Sequence, residues 1–132
     1  MKRLQNRLAL VTGASKGIGR ATARALAAEG AQVILAARRP EPLEELAAEL
    51  EGALVAPLDV TDAEGTRAAI RAVLPAGRHV DLAVLNAGLA RGAEPLQQGD
   101  PGEWSEVVDT NIKGVLHGLH AVLRPMIEGG TG

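Results

Sequence analysis

The sequence lacks cysteine, tyrosine and phenylalanine, and Trp104 is its single aromatic side chain. Without cysteine there is no disulfide framework, thiol nucleophile or zinc–thiolate site, which fits a cytoplasmic protein. Without an aromatic cluster there is no platform for stacking single-stranded nucleic acid. The missing tyrosine also excludes any mechanism in which this chain itself supplies a tyrosine as the proton donor.

Excess charge and long apolar runs are missing as well. The formal net charge is −2, so we expect no nucleic acid or anionic membrane as a partner. No apolar run approaches the roughly 20 residues that span a bilayer. His117 and His120 lie one helical turn apart but lack a third ligand, so we expect no metal site and interpret both as helix-surface residues. Length and hydrophobic content instead predict a single domain over residues 1–132.

What the sequence does contain is a regular alternation of short apolar runs and helical segments. The predicted strands are Leu8–Val11, Ala31–Ala37, Ala53–Leu58 and Asp81–Leu85. The predicted helices are Ser15–Gly30, a second beginning at Pro40 and Pro42 and ended by Gly52, Ala63–Leu74, and Gly102 to about Ile127. This alternation predicts an α/β fold, a Rossmann-type doubly wound parallel sheet with strand order 3-2-1-4. The sheet is expected to stop before strand 5, leaving strand 4 as an open edge.

A glycine-rich segment, Thr12-Gly13-Ala14-Ser15-Lys16-Gly17-Ile18-Gly19, connects the first strand to the first helix. Such a turn aims the free N–H groups and the positive dipole end of the helix at one point, which favours a phosphate. We therefore predict a site for the pyrophosphate of a dinucleotide, the alternative being a plain tight turn. Gly13–Gly17 also matches the G-x-S-x-G elbow of α/β-hydrolases. Few residues precede Ser15 and no Asp/Glu–His pairing is evident downstream, which disfavours that interpretation.

The end of the second strand indicates the type of dinucleotide. NAD-binding folds usually carry an Asp or Glu there, which accepts hydrogen bonds from the ribose 2′-hydroxyl. Here Ala37 is followed by Arg38 and Arg39, and a guanidinium can bind a 2′-phosphate through two hydrogen bonds. With Lys16 as a possible second charge, NADP is predicted in preference to NAD. The alternative is that both arginines simply end the strand in solvent.

Three further positions are candidates for the same site. Asp59, followed by Val60, either hydrogen-bonds an adenine edge, caps the next helix, or does both. Asn86-Ala87-Gly88 follows the fourth strand, where small residues let a ribose approach, although the same residues suit a simple turn. Asn111 interrupts the apolar pattern of the last helix. It could orient a water or a backbone carbonyl, or lie on the surface.

These segments, together with Asn111-Ile112-Lys113-Gly114-Val115, resemble the short-chain dehydrogenase/reductase family across essentially the whole chain. The resemblance implies a Rossmann fold that binds NAD(P). It assigns Gly13, Ser15, Lys16, Gly17, Ile18 and Gly19 to the pyrophosphate, Arg38 to the 2′-phosphate, Asp59 and Val60 to adenine, and Asn86, Ala87 and Gly88 to the nicotinamide-side ribose. Asn111 matches the asparagine of the family's catalytic tetrad, which holds a water in a proton relay. Homo-oligomers through the helix Gly102–Ile127 are also implied.

The family's catalytic Ser and its Tyr-x-x-x-Lys lie beyond strand 5. We therefore expect the chain to be the N-terminal, cofactor-binding portion of an NADP-dependent oxidoreductase that acts on a small carbonyl or alcohol, inactive by itself. The alternative is a non-catalytic module that binds a nucleotide or a protein partner.

Overall fold

The computed structural model describes residues 2–131, so Met1 and Gly132, the ends of the predicted domain, lie outside the described residues. Four strands form one parallel sheet in the order β3-β2-β1-β4, which confirms the predicted topology. Their bounds are β1 Leu8–Thr12, β2 Gln32–Ala37, β3 Leu54–Pro57 and β4 Leu82–Leu85. Because all four run in the same direction, their carboxyl ends meet at one edge of the sheet, where ligands bind in folds of this kind.

Within residues 2–131 the α-helices are α1 Gly17–Ala28, α2 Pro40–Glu49, α3 Ala63–Val73, α4 Pro101–Val108 and α5 Gly114–Gly129. The helix predicted from Gly102 to about Ile127 is present as one helical run, but a π-helical segment that was not predicted, Asp109–Lys113, joins α4 to α5. One wide turn hardly disturbs an apolar pattern, so the pattern does not reveal it. A short 3₁₀ turn, Leu96–Gln98, lies in the loop before α4.

The first helix also differs from its prediction. It begins at Gly17 rather than Ser15, because Gly13 turns the chain at φ +65° and Lys16 is still extended at φ −157°. Its end agrees better: Gly30, in the left-handed region at φ +96°, follows the helix as a glycine at a helix C-terminus commonly does. Four residues therefore lie between β1 and α1, and they form the turn on which the site is built.

The core has two halves, one on each face of the sheet, because successive strand residues point to opposite sides. In β1, Leu8 and Leu10 face α3 and α5, whereas Ala9 and Val11 face α1 and α2. Ile70 and Val122 complete the first half from the helices; Ala23, Leu43 and Leu46 complete the second. The near-continuous apolar sequence of β1 and β2 follows from this burial on both faces.

At the amino ends of the strands, Asp81 holds several parts of the chain together. Its carboxylate accepts hydrogen bonds from the backbone N–H of Leu8 (2.8 Å) and from the Thr131 hydroxyl (3.2 Å), and Arg7 Nη1 lies 3.5 Å away. Burial pushes the pKa of Asp81 upward, but these hydrogen bonds and the charges of His79 and Arg7 outweigh it. The net pKa is lowered. The carboxylate therefore stabilises the fold in its charged form.

One surface of the final helical run remains exposed and apolar. We name it the outer α4–α5 face, and it comprises Trp104, Val108, Ile112, Leu116, Leu123 and Ile127. The opposite side of α5 carries Val122 into the core beside α3. Among residues 2–131, β4 pairs only with β1, so the sheet has an edge there. No helix in this part of the chain is long and apolar enough to cross a membrane.

Candidate cofactor-binding site

The turn between β1 and α1 requires glycine for two different reasons. Gly13 and Gly17 lie at positive φ, +65° and +56°, which L-residues with a side chain rarely adopt. Gly19 has no room for a side chain: a Cβ there would overlap the carbonyl oxygen of Gly13 and lie 2.6 Å from Asn86 Nδ2. The glycines therefore bring the start of α1 tightly against the end of β1.

The start of α1 has the properties of an anion site. Asp62 and Asp100 accept hydrogen bonds from the first turns of α3 and α4, whereas Lys16 precedes α1 without a side-chain cap. In the part of the chain that the structure describes, the first N–H groups of α1 are thus left without a capping side chain, at the positive end of the helix dipole. Ser15 is half-buried and Lys16 is exposed, as is Ile18 at 78%. A phosphate group fits this turn.

Hydrogen bonds join the glycine turn to the end of β4. Asn86 Nδ2 donates to the carbonyls of Thr12 (3.3 Å) and Gly13 (3.4 Å), and the Ala87 N–H donates to Thr12 Oγ1 (3.0 Å). Thr12, only 2% exposed, was not identified as a site residue from the sequence. The sequence feature that could have identified Thr12 is its position, as a polar side chain at the end of an apolar strand. Asn86 therefore does more than form a local turn, because it fixes two strand ends against each other.

Arg38 and Asp59 lie at the ends of the two neighbouring strands. Arg38 is exposed after β2, beside Ala37, and nothing on β2 presents a carboxylate. Asp59 Oδ1 accepts hydrogen bonds from the Thr61 N–H (2.9 Å) and hydroxyl (2.8 Å). The Thr61 N–H chiefly lowers the pKa of Asp59, with the Thr61 hydroxyl and the charge of Arg38 acting in the same direction against burial. A cation and an ionised carboxylate therefore lie near each other at this edge.

The cap of α3 is Asp62, not Asp59: Asp62 Oδ1 accepts from the Gly65 N–H at 2.9 Å. Asp59 therefore lacks the helix-capping role that was one of its two predicted alternatives. Val60 is nearly buried, at 8% exposure. The backbone oxygen of Asp59 accepts from the Thr66 hydroxyl at 3.1 Å, so α3 holds this loop in place.

Asn111 lies in the π-helical segment and grips the loop that follows β4. Its Oδ1 accepts from the Leu89 N–H (2.8 Å) and its Nδ2 donates to the Leu89 carbonyl (2.7 Å). Gly88 lies against it, since a Cβ there would be 3.1 Å from Asn111 Oδ1. Of the three alternatives considered for this side chain, the structure contains contact with a backbone carbonyl, and the residue is also exposed at the surface. π-Helical turns occur frequently at functional sites.

One of the histidines interpreted as a helix-surface residue lies in a different environment. His117 is not a plain surface residue: it is half-buried, and its Nδ1 lies 2.6 Å from the carbonyl oxygen of Val60. His120 is exposed, as predicted. His79 lies in a loop, where its Nε2 is 2.8 Å from the Thr131 hydroxyl. Within residues 2–131, no group of three or more His, Cys, Asp or Glu side chains could hold a metal ion.

The predicted site residues follow the carboxyl ends of all four strands, with Asn111 reaching them from the helical run. Contacts join the glycine turn to Asn86, and Gly88 to Asn111, while the charge of Arg38 acts on Asp59. The fold thus gathers along one edge of the sheet residues that are up to about a hundred positions apart in the sequence.

Comparison with known proteins agrees with this geometry. The family model described as "short chain dehydrogenase" matches residues 7–132. Sulfoacetaldehyde reductase 2 of Chromohalobacter salexigens is 44% identical over 128 residues, covering 95% of this chain and 51% of that protein. NADP-dependent 3-hydroxy acid dehydrogenase of Salmonella typhi is 43% identical over 130 residues, with 95% and 51% covered.

A solved structure gives the same result. Gluconate 5-dehydrogenase from Burkholderia cenocepacia, in complex with NADP and tartrate, superposes with a TM-score of 0.89 at 36% identity and covers 97% of this chain and 51% of its own. The chain therefore spans about half the length of the relatives it matches. Of these relatives, the 3-hydroxy acid dehydrogenase is named as NADP-dependent, and the gluconate 5-dehydrogenase was solved with NADP bound. With its sheet order, its glycine turn and a family match over nearly its whole length, the chain belongs to the short-chain dehydrogenase/reductase family.

Proposed function

We propose that this chain forms the NADP-binding part of an oxidoreductase that transfers hydride between NADPH and a small carbonyl or alcohol. The observation that carries the proposal is the pairing of an uncapped α1 N-terminus with an exposed Arg38 on the adjacent strand end. The first suits a pyrophosphate and the second suits a 2′-phosphate. When bound, the nicotinamide would supply or accept the hydride at its C4 atom.

The preference for NADP over NAD depends on charge. A carboxylate after β2 would repel a 2′-phosphate, whereas Ala37 and Arg38 present a small side chain and a guanidinium. The neighbouring Asp59 would accept from the adenine edge, and Val60 would contact its face. Support also comes from the two relatives whose names include NADP.

Asn111 would serve this reaction as a positioning residue. Both polar atoms of its side chain are used by the Leu89 backbone. We infer that the side chain keeps the loop after β4 in place beside Asn86–Gly88, which would contact the nicotinamide-side ribose. Any water held for proton relay would then bind to backbone groups of the π-helical segment.

The 132 residues contain no tyrosine. A reaction of this family draws its proton from a tyrosine, so we propose that the 132-residue chain does not turn over by itself. The assay is carbonyl-dependent oxidation of NADPH by the purified chain, with no rate above the protein-free blank expected. Sustained turnover would contradict this part of the proposal.

The test of cofactor choice is a pair of matched charge reversals. Arg38→Asp should weaken NADPH binding by about 10- to 100-fold, the loss of one or two hydrogen bonds to a charged group, while NADH binding stays unchanged or improves. Arg39→Asp makes the same charge change at the next exposed residue and should alter NADPH affinity less than about threefold, since its effect is long-range and screened. Calorimetric titration gives both constants. Equal losses in the two variants would show a general charge effect and no specific 2′-phosphate contact.

The outer α4–α5 face favours a partner, as the predicted homo-oligomer through this helical run would require. Six large apolar side chains are exposed there, and a shallow depression of about 500 Å³ lies beside Trp104 and Val108. Large exposed apolar patches mark interaction surfaces. We propose a second copy of the chain as the occupant. Sedimentation velocity should find a dimer that Leu116→Arg dissociates. A monomer at all concentrations would exclude self-association through this face.

A further inference from the structure

His117 connects the last helix to the loop after β3. Its Nδ1 lies 2.6 Å from the carbonyl oxygen of Val60, 57 residues earlier in the chain. A carbonyl oxygen can only accept a hydrogen bond, so Nδ1 must carry the hydrogen. This contact therefore selects the imidazole tautomer that leaves Nε2 as the acceptor, or the protonated ring.

A second contact from α5 also fixes Val60. Gly114 lies one turn before His117, and a Cβ at that position would be 2.7 Å from Val60 Cγ2. The absence of a side chain at Gly114 thus lets Val60 pack directly on the helix backbone. The side chain of Val60 and its carbonyl are both held by α5, while α3 holds the preceding residue through the bond from Thr66 to the Asp59 carbonyl.

The helical run that holds Val60 also carries the π-helical segment with Asn111. Asn111 hydrogen-bonds to the backbone of Leu89 after β4, and His117 hydrogen-bonds to the backbone of Val60 after β3. These two loops belong to the two outer strands of the sheet, β4 and β3. One helical run therefore sets the position of both loops, with one polar side chain for each.

We propose that His117 is a positioning residue for the cofactor, which fixes the Val60 carbonyl and thereby the loop Asp59–Val60 against which adenine binds. The inference rests on the proposed function, because it takes this loop as the adenine contact. His117 touches no cofactor atom in this proposal and takes no part in proton transfer. Its effect is confined to ligands that contain adenine.

The experiment compares three ligands with four proteins. The ligands are NADPH, adenosine 2′,5′-bisphosphate, and reduced nicotinamide mononucleotide, which lacks adenine. The proteins are the wild-type chain, His117→Leu, His117→Asn and the control His120→Leu, whose side chain is exposed on the same helix. Asparagine is chosen because its Nδ2 can lie close to the position of Nδ1 and donate in its place.

His117→Leu should weaken NADPH and the bisphosphate by about 3- to 10-fold, the range expected for one hydrogen bond, and leave the mononucleotide unchanged. His117→Asn should restore affinity to within about twofold, the residual loss that imperfect geometry of one such bond allows, and His120→Leu should match wild type. Wild-type affinity in His117→Leu would overturn the proposal. So would an equal loss for all three ligands, which is the result of a merely structural role.

Two further measurements apply if His117→Leu does not fold. His117→Gln brings its amide near the position of Nε2, so it should bind NADPH more weakly than His117→Asn, and equal affinities would overturn the proposal. The ¹⁵N chemical shifts of the wild-type imidazole should identify a protonated Nδ1, whereas a neutral ring protonated at Nε2 would contradict it. Failure of the wild-type chain to bind either adenine ligand would instead refute the proposed function itself.

Discussion

Replacing Gly19 with alanine tests how closely α1 must approach the end of β1. The new methyl group would overlap the Gly13 carbonyl oxygen and lie 2.6 Å from Asn86 Nδ2. Neither neighbour is a flexible side-chain end, because the first is backbone and the second donates to the Thr12 and Gly13 carbonyls. Either α1 moves away from the strand or Asn86 loses its hydrogen bonds.

The cost follows from these two contacts. Overpacking costs about 1–3 kcal/mol, and each hydrogen bond that is lost adds about 0.5–1.5 kcal/mol. We therefore expect Gly19→Ala to reduce the free energy of unfolding by about 2–4 kcal/mol and to lower the Tm by about 10 °C. NADPH affinity should fall as well, because the displaced N–H groups of α1 would no longer converge on the phosphate.

Calorimetric melting and NADPH titration give both quantities. The matched control is Gly102→Ala in α4, where the nearest atoms to the new Cβ lie 3.4–3.7 Å away, which is ordinary contact. That variant should melt at or slightly above the wild-type temperature, since alanine favours a helix by about 1 kcal/mol over glycine. A loss of about 2–4 kcal/mol should lower the Tm by several times 2 °C. If Gly19→Ala melts within about 2 °C of wild type, the close approach of α1 to the end of β1 is not required for stability.

Two other substitutions test the polar contacts that hold the sheet edges. Thr12→Val leaves the Ala87 N–H without its acceptor and should cost about 1–3 kcal/mol in urea unfolding. Thr22→Val should change little, because the hydroxyl of this half-buried residue bonds only the Ile18 carbonyl of its own helix. An equal loss of unfolding free energy in both variants would contradict the role of Thr12 as acceptor for the Ala87 N–H. Asp81→Asn should cost about 1–3 kcal/mol at pH 7, because it weakens the acceptor for the Leu8 N–H. Since the pKa of Asp81 is lowered by folding, its stabilisation is complete above the unfolded pKa and lost as the pH falls through the folded value. The wild-type advantage should therefore shrink below about pH 4, and a constant difference would contradict this reasoning.

Most of the fold could be predicted because its signals are local. Apolar runs bounded by Gly and Pro predicted the positions of the four strands to within a few residues. The alternation of these strands with helices predicted that the strands are parallel and in the order found. The start of α4 is local too, since Asp100 caps the helix and Pro101 occupies its first turn, one residue before the predicted start at Gly102.

The contacts that were missed depend on residues far apart in the sequence. From the helical pattern, His117 was interpreted as a surface residue, because the pattern cannot show that the Val60 carbonyl lies opposite its Nδ1. The π-helical segment was not predicted because its one-residue shift leaves the spacing of the apolar residues nearly unchanged. Thr12 was overlooked because its partner, Ala87, lies 75 residues away in the loop after β4.

The roles of the site residues remain predictions, and their grouping at one sheet edge is what the fold adds. Asn86 and the glycine turn could be paired from the sequence only by assuming the strand order 3-2-1-4. The structure has that order and brings Asn86 Nδ2 within 3.4 Å of the Gly13 carbonyl. Arg38 and Asp59 become neighbours for the same reason, because β2 and β3 are adjacent.

The central claim is that this chain binds NADP(H) through the glycine turn and Arg38. Its most direct test is a calorimetric titration of the purified wild-type chain with NADPH and, under the same conditions, with NADH. We expect one NADPH per chain, bound at least about tenfold more tightly than NADH, the difference expected from a charge-assisted contact to the 2′-phosphate. Equal affinity for the two cofactors, tighter binding of NADH, or binding of neither would contradict it.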